Sequence, residues 1–446
     1  MFKKVLVANR GEIAVRIIRA LKEMSIESVV VYSEADRDSM PCDMADDKIC
    51  VGPSPAPSSY MNISQIISAA LVKKCDAIHP GYGFLAENPH FAEICASYGV
   101  NFIGPSPEAI SLAGKKAEMI EVVKKKKIPV VPGSHSVCSD VESAKKAAAR
   151  IKYPVIIKAT AGGGGKGMRR VDKEKELAGA FEITSSEAEK AFSNSDVYIE
   201  KFIASPRHIE IQIAADREGR MVYFPERDCS IQRNHQKVLE EAPSPKISDK
   251  LRRKLGETAV RIAKAIKYTT VGTVEFLVSK NDFYFMEMNA RIQVEHPVTE
   301  FVSDIDLVKL QVALAAGEKL SLKQDEIEVF CHSIECRINS EDENFIPSAG
   351  RISRIVFPGG SGVRVDTAVR QNSEISPYYD SMIAKLITYG RDRPEAILKM
   401  KRALSELRIE GVRTNIDLHK RILENEDFRR GCYSTDFIAD MKEEVG

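Results

Sequence analysis

A chain of 446 residues with 65 basic and 64 acidic side chains carries a formal net charge of +1. At roughly 150 residues per domain, that length predicts about three domains and more than one hydrophobic core. Apolar content of 43% and charged content of 29% exclude wholesale disorder, the charge balance gives no general attraction to nucleic acid or anionic lipid, and no apolar run approaches the ~20 residues of a spanning helix. The first apolar stretch, Val5–Ala8, ends at Asn9-Arg10. It is too short for the core of an export signal, so a cytoplasmic protein is expected. Residues 3–8 read as a strand, Gly11 to about Met24 as an amphipathic helix and Ser28–Ser33 as a second strand, which predicts a βαβ start. Further strand-like runs end at Gly52, Gly81 and Gly104, two of them in the same tetrapeptide, Gly-Pro-Ser-Pro, at 52–55 and 104–107. The surroundings of the two tetrapeptides differ, so they are shared loop chemistry and no repeat. Region 1–110 is predicted to be doubly wound α/β.

After Pro132-Gly133 the texture changes. Helical segments (141–150, 173–192, 248–267) alternate with strands at 154–159, 168–171, 197–202, 208–215, 220–224, 271–278 and 283–289, which predicts α+β. A third unit follows from about 330, with strands near 331–338, 351–357 and 383–389 and a helix at 393–408. Lys124–Lys127 reads as a solvated helix end ahead of Ile128-Pro129. The nine cysteines are scattered with no CxxC spacing, which predicts reduced thiols and neither a zinc knuckle nor a redox pair.

The run Gly162–Gly165 and Gly167 follows the apolar strand Pro154–Lys158. A dinucleotide loop needs a helix next, yet Met168–Val171 reads as a strand, and a P-loop needs Ser or Thr where Met168 stands. What remains is a strand–glycine loop–strand flap whose bare backbone suits phosphate oxygens, with a flexible linker as the alternative. Lys158 at the strand end suits a phosphate contact or snorkels to solvent.

The strongest spacing argument lies in Val274–Val278 and Phe283–Asn289. A three-residue loop, Lys280-Asn281-Asp282, pairs Ser279 with Phe283 and sets Glu275 opposite Glu287. Facing carboxylates on apolar strands are destabilising unless a cation lies between them. With Asn289 on the same face they form a hard oxygen set suited to Mg²⁺ or Mn²⁺, the alternative being a solvated strand face. If the next segment is extended, Arg291, Gln293 and Glu295 share one face that could hold a small oxyanion and handle its proton, or merely order a loop. The polar run Glu226–Lys237 reads as a surface loop, and without HxxH or HExxH it predicts no zinc.

Together VANRGEIAVRIIRA (7–20), HPGYGFLAEN (79–88), KATAGGGGKGM (158–168), ERDCSIQRNHQKVLEEAP (226–243), VEFL (274–277) and EMNARIQVEHPVTE (287–300) resemble the biotin carboxylases, a family of ATP-grasp enzymes. ECRINSED (335–342) and PYYDSMIAKLI (377–387) extend the resemblance essentially end to end. It implies a doubly wound α/β domain at 1–113, an ATP-grasp domain at 114–328 with a mobile lid at about 131–203, and a biotin carboxylase C-terminal domain at 329–446. ATP contacts are implied at Lys116, Lys158, Gly164, Gly165, Glu200, Lys201, Phe202, Ile203, His208, Gln232, His235 and Leu277. Glu275, Glu287 and Asn289 are the implied ligands for Mg²⁺ or Mn²⁺, the two carboxylates also serving the nucleotide. Lys237, Arg291, Gln293 and Val294 would hold bicarbonate, Glu295 would deprotonate it, and Arg337 would stabilise the biotin ureido anion.

The implied activity is ATP-dependent carboxylation of biotin through carboxyphosphate, the first half-reaction of acetyl-CoA carboxylase, with pyruvate or other acyl-CoA carboxylases as alternatives. Another ATP-grasp carboxylate–amine ligase is the second alternative; it would share Glu275, Glu287 and the flap but have no role for Glu295 and Arg337. A homodimer is implied through Arg19, Glu23 and Arg364. Two departures stand out: Lys166 replaces a frequent Arg in the glycine loop, and Ser361 replaces an aromatic at the dimer contact. No Ala-Met-Lys-Met biotin-attachment sequence occurs, so a detached subunit is expected, served by a biotin carboxyl carrier protein and carboxyltransferase subunits on other chains.

Overall fold

The computed structural model describes the chain apart from residues 135, 161–166, 193, 234, 235 and 444–446, and apart from the side chains at 191, 192, 442 and 443. The amino-terminal unit is a five-stranded parallel sheet in which Lys4–Val7 lies between Glu27–Tyr32 and Ala77–His79. The crossover helix Gly11–Glu23 presents Ile13, Ile17, Ile18 and Leu21 to the core at helical spacing. Both faces of the sheet are covered, as a parallel sheet requires. The two Gly-Pro-Ser-Pro loops diverge after their strands. At 104–107 Ser106 caps the helix Pro107–Gly114 by accepting the Ala109 N–H, with Pro107 in the first turn. At 52–55 the chain enters only the short 3₁₀ turn Ala56–Ser58. Gly52, at φ 137°, is required there, because a Cβ would sit 2.4 Å from the Ser58 carbonyl.

One nine-stranded sheet forms the centre of the molecule. Its order is Asp282–Asn289, Thr270–Ser279, Arg207–Ala215, Arg227–Arg233, Gln236–Ala242, His332–Asn339, Met382–Gly390 and Val363–Thr367, with Met221–Tyr223 added beside Arg207–Ala215. Strands from either side of residue 328 pair directly: Gln236–Ala242 runs antiparallel to His332–Asn339 in the register Leu239–Cys336 to Ala242–Ser333. Helix Asp249–Ala265 packs Leu255, Ala259 and Ile262 on one half of the sheet, and helix Arg393–Glu406 packs Met400 and Leu404 on the other. A separate three-stranded sheet, Met168–Val171, Val155–Ala159 and Val197–Lys201, is covered by helices Val141–Ile151 and Glu174–Phe192 and has its own core. Among the described residues no helix is long and apolar enough to cross a membrane.

The expected surface loop at 226–237 is a correction. Arg227–Arg233 and Gln236–Ala242 are central strands, and Arg227 through Gln232 are buried despite their polarity. Polar side chains there meet one another inside the protein, so composition gave the wrong exposure.

Candidate active site

The carboxylate hairpin forms, by a route different from the one expected. The turn holds two residues, Lys280 and Asn281, so Ser279 pairs with Asp282, and Lys280 takes φ 57°. This register would offset the two glutamates by one residue. A bulge between Glu275 and Phe276 absorbs Met286 and restores Glu275 opposite Glu287. Glu275 is 3% exposed, whereas Glu287 stands open to solvent. Although Glu287 is accessible, the protein around it displaces enough water that desolvation, with the facing Glu275, raises its carboxyl pKa, Lys116 opposing. Among the described residues Glu287 makes no hydrogen bond or ion pair.

From Glu275 a chain of charges runs to the third domain. Lys237 Nζ donates to Glu210 (2.6 Å), Glu275 (3.0 Å) and Glu295 (2.6 Å). Burial works against its charge, but Cys229 and these three carboxylates hold its pKa well above the usual lysine value. Glu275 also meets His208 Nε2 (2.8 Å), Asn289 Nδ2 (2.9 Å) and Gln293 Nε2 (2.8 Å). Glu295, 2% exposed, accepts from Arg337 at 2.9 Å through its second oxygen. Burial alone would raise both carboxyls, but Lys237 and His208 together outweigh it at Glu275 and Lys237 and Arg337 together at Glu295, so both lie well below the usual range. Arg337 is also held by Glu240 at 2.6 Å. Burial pushes that carboxyl up to about 7, with Arg337 only partly offsetting it.

The remaining expected residues fall into three groups. His208 and Gln232 are buried on central strands, and Leu277 lies half-buried beside His208 across the ladder. Lys158 donates to Glu200 at 2.6 Å across the smaller sheet. Lys201 donates instead to the Lys152 and Tyr153 carbonyls, and Phe202 carries the Arg170 guanidinium 4.4 Å above its ring. Ile203 is half-buried, and Lys116 begins a helix near Glu287. Gly164, Gly165 and His235 lie outside the described residues. The strands flanking the glycine run are antiparallel partners in the register Lys158–Met168, and Ala159 N–H closes on the Gly167 carbonyl. The flanking strands are therefore paired as expected, and residues 161–166 between them lie outside the described residues.

One expectation needs correction. The segment after Asn289 is not extended throughout: it turns at Val294-Glu295 into helix His296–Ser303. Glu295 and Gln293 both reach Glu275 or Lys237, whereas Arg291 is drawn to Glu87 (2.9 Å) and Asn289 Oδ1 (3.2 Å). Asn289 turns its amide nitrogen to Glu275, so a metal contact there needs the amide turned over. At the expected dimer face, Glu23 pairs with Lys309 and Arg364 with Asp366 and Glu300 of the same chain; Arg19 and Ser361 are exposed.

Three family models cover the chain: Biotin carboxylase, N-terminal domain, at residues 1–110; Carbamoyl-phosphate synthase L chain, ATP binding domain, at 115–323; and Biotin carboxylase C-terminal domain at 335–440. Biotin carboxylase 1 of Bacillus subtilis is 54% identical over 442 residues, 98% of each chain. The chain belongs to the biotin carboxylase family. It is an ATP-dependent carboxylase of the ligase class. A pyruvate carboxylase subunit from Methanothermobacter thermautotrophicus is 52% identical over 99% of this chain and 90% of its own. A biotin carboxylase–beta-gamma-ATP complex from Campylobacter jejuni superposes with a TM-score of 0.94 at 48% identity, over 99% of both chains. The biotin carboxylase domain dimer of Hydrogenobacter thermophilus 2-oxoglutarate carboxylase, with MgADP, ADP and bicarbonate, also gives 0.94, at 46% identity over 100% and 99%.

Several charged residues of this biotin carboxylase site were given no role from sequence. Arg227, fully buried, ion-pairs with Glu210 and donates to Gln212 (3.0 Å), Thr273 (3.1 Å), Thr299 (2.8 Å) and Gln293 (2.8 Å). Glu210 lies in a visible alternation, with His208, Glu210 and Gln212 separated by isoleucines. A half-exposed strand explains that pattern equally well, and here both faces are buried. Glu87 sits inside a quoted motif but nothing nearby in sequence links it to Arg291. The donor chemistry fits a hard divalent cation: Glu275 and Glu287 face each other, and Glu287 is unpartnered among the described residues. His208, Glu210 and Glu275 also cluster, but Lys237 bonds both of those carboxylates.

Proposed function

We propose that this chain carboxylates biotin carried on a separate protein, using bicarbonate and ATP through carboxyphosphate, as the first half-reaction of an acetyl-CoA carboxylase. The observation that carries this reading is the Glu275–Lys237–Glu295–Arg337 chain, which joins a nucleotide end to the third domain through one carboxylate. A carboxylate–amine ligase has no use for the last link.

Lys116, Lys158, Glu200, Lys201, Phe202, Ile203, His208, Gln232 and Leu277 would contact ATP, with Gly164, Gly165 and His235. Glu275 and Glu287, with Asn289, would hold Mg²⁺ or Mn²⁺, which when bound would offset the negative charge of the β- and γ-phosphates. Lys237, Arg291, Gln293 and Val294 would hold bicarbonate. Glu295 takes its proton, and the bicarbonate oxygen attacks the γ-phosphorus to give carboxyphosphate and ADP. CO₂ then passes to N1 of biotin, whose ureido anion Arg337 stabilises, and the released phosphate takes the biotin proton. As placed, Glu295 is a weak base because Lys237 and Arg337 both hold its anion. Drawing Lys237 to bicarbonate and Arg337 to biotin would each raise its basicity, most when both substrates are present. Closure of a lid at about 131–203 would keep water from the labile intermediate.

The proposed partners are a biotin carboxyl carrier protein, carboxyltransferase subunits and a second copy of the chain, in the cytoplasm. The Methanothermobacter relative supports a second reading, in which the final acceptor is pyruvate. A coupled assay tests the core claim: ATP turnover should require bicarbonate and rise on adding free biotin. Turnover indifferent to biotin overturns it.

A further inference from the structure

Two fully buried residues with no role so far grip the turn that carries Gln293, Val294 and Glu295. His296 Nδ1 lies 2.8 Å from the Gln293 carbonyl oxygen, and Lys385 Nζ donates to the Val294 carbonyl at 2.8 Å. Both side chains are 0% exposed. A carbonyl oxygen only accepts, so Nδ1 is the protonated ring nitrogen. Burial, with Lys385, Arg16 and Arg364 nearby, pushes the His296 pKa well below its usual value, so the ring is a neutral donor.

The geometry has a consequence for Val294. Its side chain offers no hydrogen bond, so any contact with an anion must use its backbone N–H. That N–H shares one planar trans peptide with the Gln293 carbonyl and points the opposite way. Fixing the carbonyl on His296 therefore fixes the direction of the N–H. The turn's hydrogen bonds engage both carbonyls and leave the Val294 N–H without an acceptor among the described residues.

Lys385 is placed by all three domains. It lies between Arg337 and Asp366 in the ladder across strands His332–Asn339, Met382–Gly390 and Val363–Thr367, so the three side chains share a sheet face. Its Nζ is 3.2 Å from Glu12 of the first helix and 3.9 Å from Asp366. Two carboxylates, one amino-terminal and one carboxy-terminal, thus flank the buried Lys385 Nζ, whose hydrogen bond goes to the turn of the central domain.

We propose that His296 and Lys385 are positioning residues for the 293–295 turn, holding its two carbonyls so that the Val294 N–H is preset to receive a small oxyanion. This rests on the reading of Gln293 and Val294 as bicarbonate contacts. Three variants of the full chain test it: Lys385→Met, His296→Gln and His296→Asn. The asparagine amide nitrogen falls near the place of Nδ1, whereas the longer glutamine reaches past it. In the biotin-coupled ATP assay, Lys385→Met and His296→Gln should raise the bicarbonate KM by about tenfold or more, leaving the ATP KM within about twofold. His296→Asn should stay within about threefold of wild type in both. ATP and bicarbonate KM values that rise together would mark a merely structural strut and overturn the proposal. So would an unchanged bicarbonate KM. If Lys385→Met does not fold, the histidine pair decides, and equal bicarbonate KM values for Gln and Asn overturn it. A wild-type enzyme whose turnover ignores bicarbonate instead sinks the functional reading, and this inference with it.

Discussion

At Glu295 one carboxylate is shared by two cations that serve different substrates in the proposed reaction. Lys237 sits 2.6 Å away on one side and Arg337 2.9 Å away on the other. Replacing Glu295 with Gln keeps the shape and removes the base, and replacing Arg337 with Ala removes the partner for the ureido anion. Each should lower biotin-dependent turnover by about 10²–10⁴-fold, as loss of a general base or an oxyanion partner does. The ATP KM should change little, since neither side chain hydrogen-bonds a residue expected to hold nucleotide. Equal loss of nucleotide affinity in both variants would move these residues out of the chemistry. Glu287 makes the opposite case. It faces Glu275 with no partner among the described residues, so Glu287→Gln relieves a repulsion while weakening a cation site. Thermal stability without metal should hold or rise slightly, while the Mg²⁺ concentration for half-maximal turnover increases by about tenfold. An unchanged Mg²⁺ dependence refutes the cross-strand metal assignment.

At the scale of strands and helices, the hairpin of Glu275 and Glu287 was legible because period-2 counting needs only a turn. The turn was misplaced by one residue, and the bulge at Met286 compensated. Neither feature has a sequence signal separable from the other, since a two-residue turn with a bulge and a three-residue turn without one give the same Glu275–Glu287 pairing. The polar strands Arg227–Arg233 and Gln236–Ala242 were illegible for a different reason: their partners, Glu210, Glu295 and Arg337, are distant in sequence. Glu241 on the second of these strands makes the same point. It accepts from His332 (2.6 Å) and Arg393 (2.6 and 3.0 Å) and bonds Tyr433, clamping helix Arg393–Glu406 and the chain near 433 to the sheet. Burial opposes its charge, yet His332 and Arg393 hold its pKa down to about 2 from 4.5. A depressed carboxylate stabilises the fold above its unfolded pKa and loses that contribution as pH falls through the folded value. The shift corresponds to about 3 kcal/mol, lost between about pH 5 and pH 2. Glu241→Gln should therefore unfold at lower temperature than wild type near neutrality, with the gap narrowing as pH approaches 2. A gap independent of pH over that window would show that Glu241 acts by shape alone.

Across the whole molecule, the central and carboxy-terminal segments share one continuous sheet, so a unit of sequence is not a unit of stability. The smaller three-stranded sheet, with Val155, Ile157, Val197 and Ile199 in its own core, is the part most nearly self-contained. The chain on either side of residue 328 is not. Gln236–Ala242 is an interior strand only because His332–Asn339 pairs with it. Removing residues 329–446 turns it into a bare edge and strips Glu240 of Arg337, and Glu241 of His332, Arg393 and Tyr433. Breaking a buried pair from one side costs about 3–5 kcal/mol, so two orphaned carboxylates consume about 6–10 kcal/mol of a stability that is typically about 5–15 kcal/mol. Exposing the edge also invites strand pairing between chains. A fragment of residues 1–328 should accordingly be insoluble, or fail to bind ATP, although it contains every residue expected to touch the nucleotide. Expressing it alone and measuring solubility, thermal unfolding and nucleotide affinity checks this directly. A soluble fragment with a cooperative transition and wild-type ATP affinity would mean that the shared sheet is a contact between independent domains, and that the Glu295–Arg337 link joins two bodies able to separate.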